Sequence, residues 1–285
     1  MDVRKDVSEF LASRRAKIQP QDVGLPNFGA HRRVPGLRRE EVALLAGVSV
    51  DYYTRIERGR LDGVSESVLD AVIRVLQLDD VEQAYLRNLA GLANMRKVRA
   101  PKAKPLTARP GLQRVLDAME NTPAYIRNGR LDVIAQNAMA KALFSPCVDA
   151  NGNPENVARF FFLNPAARDF FVDWDSLAED TVGVLRNEAG RSPFDKNLTD
   201  LIGELSTRSE LFRVLWANHN VRKHVMGVKR FNHPSVGVVE VHFESIPLVN
   251  DEGLTLLTYS AEKGSASEDA LKLLGIQAAG AGVTA

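Results

Sequence analysis

Between Val50 and Arg55 the chain brings together side chains of quite different recognition chemistry. Arg55 is a planar fork that can donate twice to the edge of a guanine, and Asp51 can accept from a cytosine amino group. Val50 can pack on a thymine methyl, and Tyr52 adds a hydroxyl. Asp51 has two other uses open to it, capping its own helix or orienting Arg55. These are chemistries of reading, not of bond making. The sequence has no Gly-x-Ser-x-Gly, no phosphate-binding Walker loop and no dinucleotide fingerprint. His219 and His224 stand five residues apart, off one helical face, and Cys147 is the only cysteine, so metal-ligand spacing is weak. The expectation is a binding protein rather than an enzyme, with no cofactor and no metal.

Such a set needs a rigid element to present it. Glu40 to Ala46 carries Val42, Ala43, Leu44, Leu45 and Ala46 beside charges, a short amphipathic helix. Gly47 can end it in a left-handed conformation, and Ser49 is a good cap for a second helix from Val50 to about Glu57. Gly59 stops that one. Two short helices joined by a Gly-containing turn make a helix-turn-helix, whose second helix can lie in a DNA major groove. Ala43 is small where the helices approach. Val48, Tyr53 and Ile56 are spaced to pack back, which leaves Val50, Asp51, Tyr52, Thr54 and Arg55 outward.

The 285 residues are enough for two domains, and 26% charged with 45% hydrophobic residues is an ordinary globular composition. No apolar run approaches the roughly 20 residues of a membrane span, and MDVRKDVSEF lacks the apolar core of a secretory signal. One cysteine permits no internal disulfide, so a cytoplasmic location is expected. The net charge of +1 hides an imbalance: basic residues outnumber acidic ones through residue 104, and the reverse holds after it. That suits a chain meeting a polyanion with one end.

Around the central pair, Asp6 to Lys17 reads as a first helix with Val7, Phe10 and Leu11 on its apolar face, stopped by Pro20. Gln21 to Gly36 is a connector holding His31, Arg32 and Arg33, either a basic arm on DNA or a solvated loop. Ser65 caps a fourth helix, Glu66 to Leu76, and Asp79 with Glu82 opens a fifth, about Asp80 to Leu92. The Ala-x3-Gly-x-Ser core and the Ile-Glu-Arg-Gly ending resemble the XRE, or lambda-repressor-like, family over about twenty residues. The resemblance implies an all-α domain of five helices, residues 1–93. By the family's motif the first turn of the second helix reaches base edges, which makes Val50, Asp51, Tyr52 and Arg55 candidates for direct readout. Arg38, Arg39, Thr54 and Arg58, with Arg32 and Arg33 on the arm, are candidates for phosphate contacts. One such domain makes a small contact, so a homodimer on an inverted repeat in double-stranded DNA is expected.

Residues 94–109 form a basic, Pro-containing linker, either an addition to DNA attraction or a spacer. Gly111 to Glu120 reads as a helix. Ala124 to Ile126 and Leu131 to Ala135 read as strands around an Asn128-Gly129 hairpin turn. Helices are expected from Asn137 to Phe144 and Asn156 to Phe162, over Leu177 to Ala189 opened by Ser176 and Glu179, over Leu198 to Leu205, and over Leu211 to Ala217 opened by Thr207 and Glu210. Val228 to Phe231, the alternating Val239, Val241 and Phe243, and Leu254 to Tyr259 read as three more strands. A short helix over Asp269 to Leu274 and a disordered end from Ala278 complete the tail of residues 266–285.

Two strands, a helical middle and three antiparallel strands make a PAS-like α+β domain over residues 110–265. Thr122-Pro123-Ala124, Ala135-x-Asn137, Asn156-x-x-Arg159, Asp173-Trp174, Leu185-Arg186, Leu215-Trp216-Ala217 and His233-Pro234 resemble the MmyB-like ligand-binding domain of bacterial regulators. That resemblance implies a PAS-like pocket for a fatty-acid-like molecule. An acyl chain needs an apolar tunnel and its carboxylate a donor. Phe162, Trp174, Phe212 and Trp216 are candidate walls in a segment whose aromatics mostly serve as core. Arg159 and Arg186 are the family-matching cations for the head group, unless they pair with Asp173 or Asp175. His219 and His233 are alternative polar ends or structural histidines. A second reading makes the back domain a dimerisation or protein-interaction module with no ligand and a fully packed interior.

Overall fold

A computed structural model describes residues 3–26, 34, 36–94, 107–221 and 226–281. The chain forms two compact units. The first comprises Met1–Lys102 together with Arg186–Thr199 and Leu215–Arg222, and the second comprises Ala103–Leu185, Asp200–Val214 and Lys223–Ala285.

Five helices open the first unit: α1 (Val3–Lys17), α2 (Arg39–Ala46), α3 (Val50–Glu57), α4 (Glu66–Val75) and α5 (Asp80–Asn94). All five expected helices are present, with ends within a few residues. Their inner faces supply one core, with Val7, Phe10, Leu11, Val42, Tyr53, Ile56, Val72, Leu86 and Leu89 buried. The turn between α2 and α3 works through the residues singled out by type. Gly47 is left-handed at φ 69°, and the Ser49 hydroxyl accepts the Tyr52 N–H at 3.1 Å. Gly59 is left-handed at φ 77°, and a side chain there would overlap the Arg4 backbone.

The second unit holds α6 (Pro110–Asp117), β1 (Ala124–Asn128), β2 (Val133–Gln136), α7 (Ala138–Leu143), α8 (Val157–Leu163) and α9 (Ala166–Phe170). After α10 (Trp174–Arg191), α11 (Lys196–Arg208) and α12 (Glu210–Ala217) come β3 (Met226–His233), β4 (Gly237–Pro247), β5 (Leu254–Ser260) and α13 (Ala266–Ala281). The strands form an antiparallel sheet in the order β2-β1-β5-β4-β3, with Tyr125 opposite Leu257, Phe243 opposite Tyr259 and Lys229 opposite Val241. Asn137 ties this unit together from inside. Its side chain accepts the N–H groups of Ala124 and Ala140 and donates to the carbonyls of Leu116, Met119 and Thr122.

Local chemistry corrects several expectations. The β1–β2 hairpin is not a two-residue Asn-Gly turn. Its loop is closed by the Asn128 and Asp132 backbones, and the left-handed residue is Leu131 at φ 68°. Ser176 does not open a helix. It lies inside α10 and donates back to the Asp173 carbonyl, because that helix begins at Trp174. Thr207 likewise donates to Gly203 within α11, and Ser209 caps α12 by accepting the Phe212 N–H. The sequence reading missed α9. It also shortened α13, which extends over residues where a disordered end was expected and packs against α7 and β4.

Candidate nucleic-acid interface and ligand cavity

On α3 the buried side is Tyr53, Ile56 and Glu57. Val50, Asp51, Arg55 and Arg58 are exposed, and Tyr52 and Thr54 are partly so. Tyr52 also packs against the core. Arg55 donates to the carbonyl and the carboxylate of Asp62, at 2.8 and 3.2 Å. That contact holds the guanidinium in one direction without burying it. Arg38 is exposed, and its backbone N–H donates to the Glu41 carboxylate at 2.6 Å. Arg32 and Arg33, like His31, lie outside the described residues.

Arg39 has a second duty. It donates to Glu57, a carboxylate that is 1% exposed and that also takes a two-pronged bond from Arg15 at 2.8 and 3.0 Å. Arg15 continues to the Leu37 carbonyl at 2.7 Å. Burial opposes ionisation of Glu57, yet Arg15 and then Arg39 outweigh it and hold its carboxyl below the usual range. This knot joins α1, the start of α2 and the end of α3 beneath the recognition face. The signal for it in the sequence was a charged residue in phase with Tyr53 and Ile56.

A second polar cluster of the first unit surrounds Arg186. Its guanidinium lies 4.0 Å over the Trp216 ring, donates to the Trp216 carbonyl, and donates to His219 Nδ1 at 3.0 Å. Burial, then the charges of Arg186 and Arg14, push His219 down to about 4. His219 Nε2 is 3.2 Å from Glu9, and Arg14 donates to the His219 carbonyl at 2.6 Å.

In the second unit a cavity of about 450 Å³ lies between the sheet and the α7–α8 side. Its walls include Tyr125, Phe144, Phe160, Phe171, Phe231 and Tyr259, with Lys229 and Cys147 among the polar groups. Phe144 meets Tyr259 edge to face at 5.3 Å, and the Tyr125 and Tyr259 hydroxyls are 3.3 Å apart. Burial pushes the Cys147 thiol up, which disfavours its thiolate.

None of the six residues singled out for the ligand lines this cavity. Arg159 pairs with Glu204 at 2.8 Å, not with Asp173 or Asp175, and Asp173 pairs with Arg230. Trp174 stacks on Phe161 at 5.3 Å under Arg168. Phe162, partly buried, meets the rings of Trp174 and Phe212, which are core. Arg186 and Trp216 belong to the buried cluster of the first unit. His233 is a structural histidine, donating to the Ala142 carbonyl and accepting the Ser235 N–H. The sequence reading passed over Lys229, although period-two counting along β3 puts it in phase with buried Phe231 and His233.

Among the described residues no cluster of His, Cys, Asp and Glu is arranged to hold a metal ion, and no helix is long and apolar enough to cross a membrane. Residues 108–274 match the family model of the MmyB-like transcription regulator ligand binding domain. Residues 9–86 match that of a helix-turn-helix domain. No curated protein matches the chain.

Proposed function

The chain belongs to the family of the MmyB-like transcription regulator ligand binding domain and carries a helix-turn-helix ahead of it, and from that premise we propose a sequence-specific regulator whose grip on DNA is set by a fatty-acid-like molecule. The supporting observation is the aromatic-walled cavity of about 450 Å³. A domain used only for pairing has no need of such space, whereas ligand sites are concave, mostly apolar and of this size. The sheet order supports a PAS-like frame for the site.

On DNA, α3 enters the major groove in the XRE manner. Val50, Asp51, Tyr52 and Arg55 face base edges, and Arg38, Arg39, Thr54 and Arg58, with Arg32 and Arg33, face phosphates. Two copies bind an inverted repeat, in the cytoplasm. The ligand acts by binding one arrangement of the dimer more tightly than another.

Selection of binding sites from random duplexes, repeated on protein stripped of lipid and protein reloaded with extracted lipid, tests this directly. An inverted repeat recovered from both pools, with affinities that differ between them, is the expected outcome. Recovery of no preferred sequence overturns the DNA half. Lipid extraction followed by mass spectrometry that finds nothing, together with identical affinities, overturns the sensor half and leaves the interaction module.

A further inference from the structure

The cavity contains an amine held among aromatic rings, with Asp180 of an adjoining recess as the carboxylate that acts on it. Lys229 lies on β3, opposite Val241, and its Nζ is 4.5 Å from the Phe243 ring centre and 5.7 Å from that of Tyr259. Among the described residues it forms no ion pair and no hydrogen bond; its neighbours are ring faces. An ammonium placed among rings and partly withdrawn from water is stabilised weakly by them and strongly by a carboxylate.

Lys229 also marks one end of the space. A small recess of about 50 Å³ adjoins the cavity and shares Tyr125, Val157, Phe171 and Lys229 with it. The recess adds polar groups, Arg127, Asp180 and Thr181, that the aromatic part lacks. The cavity wall also includes Gly152 and Asn153, exposed loop residues, and Lys141, which is itself exposed. A ligand therefore meets three candidate cations, Lys229 and Arg127 at the recess and the exposed Lys141.

Resting on the reading of this cavity as the ligand site, we propose that it selects monoanionic chains, the carboxylate sitting at Lys229 beside the small recess and the tail lying along Phe144, Phe160 and Phe231. At about 30 Å³ per water-sized group, the space holds roughly fifteen such groups. Dodecanoate is a probe of that size, and 1-dodecanol is its uncharged match.

Binding also moves a proton. Burial, and then the positive charge of Arg127, push the Lys229 amine down to about 7, with Asp180 pulling the other way. Tyr125 on β1 and Tyr259 on β5 line the same cavity, as do Lys141, Cys147 and Glu155. An arriving carboxylate restores the charged amine, so at pH 8 the complex takes up a proton that the free protein lacks.

Calorimetric titration of the full-length protein with both probes tests this. Wild type is expected to prefer dodecanoate at least roughly tenfold, the order of one charge-assisted hydrogen bond. Lys229→Met removes the preference, while Lys141→Met preserves it. In two buffers of different ionisation enthalpy, wild type shows proton uptake at pH 8. Lys229→Arg keeps the preference but shows no uptake, since a guanidinium is already charged. Equal affinity of wild type for the two probes, or a preference that survives Lys229→Met, overturns this inference alone, as does one lost with Lys141→Met. Failure of wild type to bind either probe overturns the ligand site as well. Circular dichroism of each variant separates lost recognition from lost fold.

Discussion

Arg55 and Glu57 are two residues apart on α3 and have opposite tasks. Arg55 is exposed and steered by Asp62, so its replacement should disturb recognition and leave the fold alone. Arg55→Ala is expected to cost about 1–3 kcal/mol of discrimination at one base position per half-site, read by comparing bound sequences before and after substitution. Uniform weakening on every sequence would instead make it a phosphate contact. Glu57 is buried between Arg15 and Arg39, and its removal strands their charges. Glu57→Ala is expected to destabilise the protein by about 3 kcal/mol or more in urea unfolding at pH 7. The pH dependence follows from the depressed carboxyl. The ion pair's contribution is present above the usual carboxylate range and is lost as pH falls through the folded value, so the gap between wild type and variant closes in acid.

For an element, the backbone decides as much as the side chain. Gly47 and Gly59 end α2 and α3, and both are left-handed, yet they are not equivalent. A methyl at position 47 meets nothing within 4 Å, so Gly47→Ala is expected to cost only the conformational strain of about 1–2 kcal/mol. A methyl at position 59 runs into the Arg4 backbone on α1, so Gly59→Ala should cost roughly twice that or more. Thermal melts of the pair test the difference, and equal shifts would refute the close approach. Asn137 is the corresponding device in the second unit. A lost helix cap costs about 1–2 kcal/mol, but Asn137→Ala also strips a donor from three carbonyls, so a loss of about 3 kcal/mol or more is expected.

Across the whole molecule, a ligand held in the cavity should register as stability. Dodecanoate at a hundred times its dissociation constant is expected to add about 2.7 kcal/mol, a rise in melting temperature of roughly 5–10 °C for a chain of this size. No shift in a thermal denaturation series would mean that the native protein does not bind this probe. At the same scale, residues Arg186–Thr199 and Leu215–Arg222 join the helical first unit, where Arg186 and His219 build a buried cluster with Arg14 and Glu9. Nothing in the spacing of those residues announces a partner some two hundred positions away.

Taken by itself, the sequence determined the elements and the regulator class. Periodicity, Ser49, Gly47 and Gly59 placed α2 and α3, and the alternation in β4 placed the sheet, because those signals act over one or two turns of chain. Which side of α3 stays exposed was legible for the same reason: exposure on a short helix follows from spacing alone. Tertiary structure alone decided where empty space remains. Trp174 and Phe212 packed as core with Phe162 against both, while Lys229 came to border the cavity, since that cavity is made by the mutual placement of four strands and several helices. Side-chain type fixes which residues avoid water, but only the packed arrangement fixes which of them are left facing a gap.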